Sequence, residues 1–267
     1  MEFLKSWPVE HYGAAVVSGG SVVFEGDVDR VFDLASVTKL VVAYAALIAV
    51  EEGVFELGSA LGPGTVQDLL AHTSGVGFAS KIPERPVAER RIYSSAGFEI
   101  LAEGIEREAD MPFEQYLAEA VLDPLGMERT SLVGSAGHGM RSNVRDMAVF
   151  AAEVVSPTLL DAATVEKALT PVAPGVVGVV PGYGMQKPCP WGLGFEIKGA
   201  KEPHWTGGSM PEDVAGHFGQ AGTFLWVHRP TGRAMVALTD RAFGAWAKPL
   251  WAQTNDRVWA SLEATLK

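Results

Sequence analysis

The spacing of apolar residues along this chain changes several times, and each change marks an expected element. Ala14-Ala15-Val16-Val17 and Ser21-Val22-Val23-Phe24 are short strand-like runs hinged at Gly19-Gly20, which predicts a β-hairpin between Tyr12 and Asp27. Leu40 to Val50 is apolar at every position, too short to cross a bilayer, and reads as a helix buried on all sides. From Thr65 to about Thr170 the pattern is helical. A short helix is expected at Val66 to Ala71 and a longer one at Ala96 to Glu108. Pro112 pre-sets a third that ends near Asp123-Pro124-Leu125-Gly126, and Ser142 to Asp146 offers N-cap residues for a fourth through Val155. Pro171, Pro174, Pro181, Pro188 and Pro190 stand among glycines in the next stretch, so no regular element is expected there. Strand signals return at Gly192 to Ile197, Thr223 to Val227 and Ala234 to Leu238, the last two flanking the turn Arg229-Pro230-Thr231-Gly232. Ala247 to Leu266 reads as a closing helix. Strands from both chain ends around a helical middle predict one sheet built from N- and C-terminal parts with an inserted α-lobe, an α/β (α+β) arrangement. The expected division is a sheet-plus-helix lobe from 1–64 and 185–267, and a helical lobe from 65–184.

Composition narrows the function classes. Of 267 residues, 48% are hydrophobic and 20% charged, the balance of a folded globular protein. A net charge of −11 argues against nucleic acid and anionic membrane, both of which reward clustered Lys and Arg. The single cysteine, Cys189, has no partner for a disulfide or a Cys-x-x-Cys pair and reads as structural. The N-terminus lacks an apolar secretory core, so a cytoplasmic location is expected, or export if a leader has been removed. His11, His138, His204 and His228 are scattered without metal-ligand spacing, and no Gly-x-Ser-x-Gly elbow or phosphate loop occurs; neither metal nor cofactor is expected.

The chemistry enters with Ser36-Val37-Thr38-Lys39 at the head of the apolar run. Positions i and i+3 share a helix face, which brings a hydroxyl and an amine together. Free N–H groups at a helix start suit a developing oxyanion, and burial would make the lysine a usable neutral base. Alone the motif is weak, since a helix start with a snorkelling lysine has the same spelling. Two further segments raise its weight: Tyr93-Ser94-Ser95 before a helix, and Gly216-His217-Phe218-Gly219-Gln220-Ala221-Gly222-Thr223 entering a strand.

Together these segments resemble the motif set of the serine beta-lactamase-like superfamily, which includes class C beta-lactamases, D-alanyl-D-alanine carboxypeptidases, D-aminopeptidases and related esterases. Phe32-Asp33-Leu34-Ala35, Asp68 to Gly75, Pro124-Leu125-Gly126-Met127, Ser142 to Phe150, Trp191-Gly192-Leu193-Gly194 and Leu238-Thr239-Asp240-Arg241 follow the same order, so the likeness spans about Tyr12 to Arg241. The resemblance implies an antiparallel sheet flanked by helices, an all-helical lobe, and an active site in the groove between them. It makes Ser36 the nucleophile, Lys39 its partner, Tyr93 a proton-relaying phenol, and His217 and Gly219 the third motif. The N–H groups of Ser36 and Gln220 would form the oxyanion hole. A useful phenolate on Tyr93 would need nearby cations, with Lys39 and a protonated His217 the expected sources.

Two departures bear on substrate. Ser95 stands where many members have Asn and has a shorter reach, and Phe218 replaces the Thr whose hydroxyl helps recognise a carboxylate. The expected activity is therefore a serine hydrolase acting on a small ester or amide through acyl-Ser36, with short uncharged acyl esters favoured. The alternatives are a beta-lactamase or D-alanyl-D-alanine carboxypeptidase proper, and a covalent penicillin-type receptor that does not turn over. The expected partner is a small ester, amide or beta-lactam, with no nucleic acid or membrane. Thr206-Gly207-Gly208-Ser209 is a competing third motif, and His72 reads as a structural histidine.

Overall fold

The computed structural model describes residues 2–264. Six strands form one antiparallel sheet: β1 (Tyr12–Ser18), β2 (Ser21–Gly26), β3 (Glu196–Ile197), β4 (Ala215–Gly219), β5 (Thr223–His228) and β6 (Arg233–Thr239). Their order is β3-β4-β5-β6-β1-β2, so N- and C-terminal segments meet where β1 pairs with β6, Tyr12 opposite Thr239 and Ser18 opposite Arg233. Side-chain alternation explains how both faces of the sheet are buried. Ala15, Val17, Leu225, Val227, Val236 and Leu238 face one core, while Ala14, Val16, Phe224, Trp226, Met235 and Ala237 face a second.

The helices are α1 (Thr38–Glu51), α2 (Val66–Leu70), α3 (Ala96–Ala109), α4 (Phe113–Leu117), α5 (Val144–Val155), α6 (Ala162–Ala168) and α7 (Ala247–Ala264). Every residue of α1 from Thr38 to Ala49 is buried, as an unbroken apolar run requires. Helix α5, capped by the Asn143 side chain on the Asp146 N–H, packs against β1, β5 and β6. Helix α7 covers the opposite face with Trp251, Val258, Trp259 and Leu262. The expected end of this helix at Leu266 lies outside the described residues.

The structure departs from the sequence expectation in several places. The middle of the chain is not wholly helical: Met140–Ser142 pairs with Ser131–Leu132 and with Phe32–Asp33. The proline-rich stretch is not featureless either, because Gly178–Val180 and Gly184–Gln186 form a small hairpin between its prolines, where no proline N–H is needed. The strand expected over Gly192 to Ile197 is reduced to Glu196–Ile197. The helix opened by Pro112 changes after Leu117 into a π-helical turn over Ala118–Leu122. Helix α6, capped by Asp161, lies inside the stretch expected to be helical, where no separate element is marked by the sequence.

Candidate active site

Ser36 sits in the 3₁₀ turn Ala35–Val37 that feeds α1, which places Lys39 one turn along on the same face. Ala35 has φ +46°, a left-handed conformation that a non-glycine residue adopts at a cost of about 1 kcal/mol or more, held directly before the candidate nucleophile. Contacts from two directions hold this turn. Thr223 Oγ1 donates to Leu34 O at 2.8 Å from the sheet side. From the other side the Leu34 N–H donates to Met140 O at 2.9 Å, and the Met140 N–H donates to Thr38 Oγ1 at 3.0 Å. Gly219 lets the end of β4 approach, since a Cβ there would lie 2.4 Å from Leu34 O and 3.1 Å from the Ala35 Cβ.

Three polar groups converge on Ser36 and Lys39. Tyr93 Oη donates to Ser36 Oγ at 2.6 Å, and Lys39 Nζ lies 3.4 Å from the same oxygen. Lys39 Nζ also donates to Ser95 Oγ at 3.1 Å and to Gly137 O at 2.6 Å. Ser95, despite its short arm, therefore reaches the lysine. Lys39 is fully buried, and burial brings its ammonium down to about 7, with Glu99 opposing the shift.

The expected phenolate on Tyr93 is not favoured. Burial pushes Tyr93 up, the bond to Ser36 only partly offsets this, and Lys39 Nζ lies over the phenol ring, 4.6 Å from its centroid. Nor is His217 a cation. Burial and the charge on Lys39 bring it down to about 3, and its Nδ1 lies 2.6 Å from Phe218 O. A carbonyl can only accept, so Nδ1 carries the proton and Nε2, buried and without a partner among the described residues, is a bare acceptor. The His217 ring packs against Tyr93 and Trp191, each 5.5 Å away between centroids.

The cavity over Ser36 holds about 60 Å³ and is lined by Phe78, Tyr93, Val180, Pro181, Trp191, Glu196, His217, Phe218 and Gln220. Its charged wall is Glu196. Burial alone would raise this carboxyl, but Lys201 Nζ at 3.1 Å, His204 Nε2 at 3.0 Å and the Trp205 Nε1–H at 2.7 Å hold it well below the usual carboxylate range. Of the residues singled out from sequence, Ser36, Lys39, Tyr93, Ser95, His217, Phe218, Gly219 and Gln220 are thus brought together. The Phe218 ring is itself part of the second core, 5.7 Å from Tyr183 and 5.0 Å from Phe243. Among the described residues β4 has no strand on its outer side beyond Gly216, and His217 and Phe218 border the cavity. Among the described residues, the Gln220 N–H just past it donates to no backbone carbonyl.

The rival motif Thr206 to Ser209 lies elsewhere: the Gly208 and Ser209 N–H groups donate to the Asp256 carboxylate on α7, and these four residues do not line the Ser36 cavity. Sequence reasoning missed Gly137, Glu196 and the ring of Trp191. Gly137 acts through a backbone carbonyl, which no side-chain motif reports, and a Cβ there would lie 2.7 Å from the Ser95 Cβ. His72, expected to be a structural histidine, accepts the Ser94 N–H at Nδ1 and packs 4.9 Å from the Tyr93 ring.

The family model described as Beta-lactamase matches residues 11–256. The chain belongs to the beta-lactamase family. Among solved structures, a beta-lactamase from Mycobacterium bovis is 48% identical, with a TM-score of 0.96 and 98% of each chain covered. A penicillin-binding protein homologue from Pyrococcus abyssi, described as octameric, is 18% identical with a TM-score of 0.78 over 97% of this chain and 75% of its own. EstCE1, described as a hydrolase with promiscuous acyltransferase activity, is 16% identical with a TM-score of 0.79 over 96% of this chain and 95% of its own. The last two show a shared fold. No match was found among curated proteins. Among the described residues no helix is long and apolar enough to cross a membrane, and no group of His, Cys, Asp or Glu is placed to hold a metal ion.

Proposed function

We propose that this beta-lactamase family member is a serine hydrolase that transfers an acyl group from a small ester or amide to water through an acyl-Ser36 intermediate. The observation that carries the reading is the double engagement of Ser36 Oγ by Tyr93 and Lys39 in a site where Lys39 is fully buried. A neutral lysine has two N–H donors and one lone pair. With the donors committed to Gly137 O and Ser95 Oγ, the lone pair is left for the Ser36 hydroxyl proton. As Oγ bonds to the substrate carbonyl carbon, Lys39 takes that proton, and the N–H groups of Ser36 and Gln220 receive the oxyanion. Collapse breaks the bond to the leaving atom, which takes its proton from Tyr93, and Lys39 reprotonates the phenolate. Water then repeats the sequence on the acyl-enzyme, returning Ser36.

The apolar walls of the cavity, with a carboxylate as their only charged group, favour an uncharged acyl group. The site lies between the sheet lobe (1–64 and 185–267) and the helical lobe (65–184) on this reading, Ser36 and His217 coming from the first and Tyr93 from the second. The test is labelling with a fluorophosphonate followed by peptide mass analysis. One adduct on the Ser36 peptide, absent in Ser36→Ala, is expected; an adduct that persists in the variant sinks the proposal. A beta-lactamase reading is favoured by the Mycobacterium bovis relative, and a chromogenic cephalosporin decides it: higher kcat/KM on the cephalosporin than on any p-nitrophenyl ester would put it first. A burst of acylation without steady turnover would instead mark a covalent receptor.

A further inference from the structure

A second groove, of about 320 Å³, lies beside the Ser36 cavity and shares Phe78, Tyr93 and Pro181 with it. Its other lining residues are Glu84, Arg85, Arg90, Arg91, Ile92 and Val179. The three arginines differ in how their charge is used. Arg91 is buried and committed to structure, donating to Cys189 O at 2.7 Å, to Val172 O at 2.8 Å and to Ala71 O. Among the described residues Arg85 pairs with Glu89, at 3.7 Å and with both side chains about half exposed, a pairing of little energetic weight. Arg90 has no carboxylate partner among the described residues; its guanidinium touches the sulfur of Met185 at 4.0 Å. In a chain of net charge −11, two cations lining one groove without a strong partner among the described residues stand out against their background.

We propose that this groove is a subsite for the leaving-group arm of the substrate and that Arg90, assisted by Arg85, binds a carboxylate on that arm. The assignment rests on the serine hydrolase reading above, because it takes its direction from the chemistry there. The leaving atom must come within hydrogen-bond reach of the Tyr93 hydroxyl that protonates it. The arm beyond that atom therefore runs along Tyr93, which is the wall common to both depressions. The acyl group occupies the small apolar cavity on the other side. A guanidinium with an open fork matches a carboxylate bidentately, and the exposed Glu84 at the groove wall selects against a diffuse polyanion.

The test pairs two acetyl esters that differ in one group, 4-acetoxybenzoate and 4-acetoxybenzamide, each rate divided by its rate with hydroxide. Wild type should prefer the benzoate by about tenfold or more in kcat/KM, the size of one charge-assisted contact, expressed mainly in KM. Taken within each variant, the benzoate-to-benzamide ratio cancels any general loss of activity. It should fall close to one in Arg90→Gln, keep part of its value in Arg90→Lys, and shrink in wild type at high salt. A ratio at or below one in wild type, or a ratio that survives Arg90→Gln, overturns the subsite. If Ser36 fails to turn over either ester, the hydrolase reading fails and the subsite is read separately. Calorimetric binding of 4-hydroxybenzoate, weakened in Arg90→Gln, supports it, and binding unaffected by the substitution removes it.

Discussion

Tyr93 donates its hydroxyl proton to Ser36 Oγ across 2.6 Å, and this direction of donation sets the resting state of the site. Burial holds Tyr93 as a phenol, and in the proposed mechanism Lys39, with Nζ 3.4 Å from the same oxygen, accepts the Ser36 proton. In that mechanism Tyr93 is the acid that protonates the leaving atom. Tyr93→Phe should lower kcat by roughly 10²- to 10⁴-fold, the usual weight of positioned acid–base catalysis, and Lys39→Ala by at least as much. Because both act on one proton path, the double variant should cost far less than the product of the two. Steady-state kinetics with p-nitrophenyl acetate checks this, and full additivity would show that the two groups act independently.

The pH dependence follows from the lysine. With Lys39 down to about 7 and its neutral amine the proposed base, kcat/KM should rise with pH through a single ionisation near 7 and level off above it. His217 contributes no limb in this range, since burial already holds it neutral down to about 3. A pH–rate profile from about 5 to 9 measures the limb. A profile falling from pH 6 to 8 would require a cationic group in the active form and would exclude Lys39 as base.

The same burial has a cost in stability with a definite sign. Lys39 binds its proton less well in the folded protein than in the unfolded chain, so the unfolded state holds more protons between about 7 and 10.5, and stability rises with pH across that window. Below pH 7 the penalty is fully present. Lys39→Met, which fills the space without the charge, should therefore stabilise the fold by an amount on the order of a few kcal/mol at pH 6, with the gain shrinking toward pH 10. Chemical denaturation of both proteins at the two pH values tests it. A variant less stable than wild type at pH 6 would mean that the bonds to Gly137 O and Ser95 Oγ outweigh desolvation.

The regular parts of the fold were legible because they rest on local chemistry. The hairpin at Gly19-Gly20, the buried run after Lys39 and the Asn143 cap each follow from a few adjacent residues. Ser36, Lys39, Tyr93 and His217 were legible as ordered motifs, although the pairing of β1 with β6 that joins the chain ends depends on contacts some 220 residues apart. What stayed hidden was relational. The neutral state of His217 comes from rings and a lysine packed around it, the role of Gly137 from a carbonyl, and the charge of Glu196 from Lys201 and His204. The hairpin at 178–186 defied a composition rule because its strand residues fall between the prolines rather than on them.

Phe218 gives the prediction on which sequence and structure pull apart. From the motif alone, restoring a threonine would supply the missing hydroxyl and improve recognition of a carboxylate at the sheet edge. In the fold the ring is only 4% exposed and lies within 6.1 Å of Tyr183, Trp205, Phe243 and Trp251, so it is a member of the core that α7 closes. Phe218→Thr would remove most of that ring and put a hydroxyl among aromatic neighbours. Loss of a buried Phe side chain costs about 3–5 kcal/mol, and an unpaired buried hydroxyl adds to it. For a chain of this length that corresponds to a fall in Tm on the order of 10 °C. Phe218→Leu, which keeps an apolar side chain of similar bulk, should lose markedly less. Differential scanning calorimetry of the two variants, run beside cephalosporin and ester assays at a temperature where both are folded, separates stability from selectivity. If Phe218→Thr keeps the wild-type Tm and gains cephalosporin turnover, the ring is a substrate contact first and a core residue second, and the beta-lactam reading of the site would gain over the ester one.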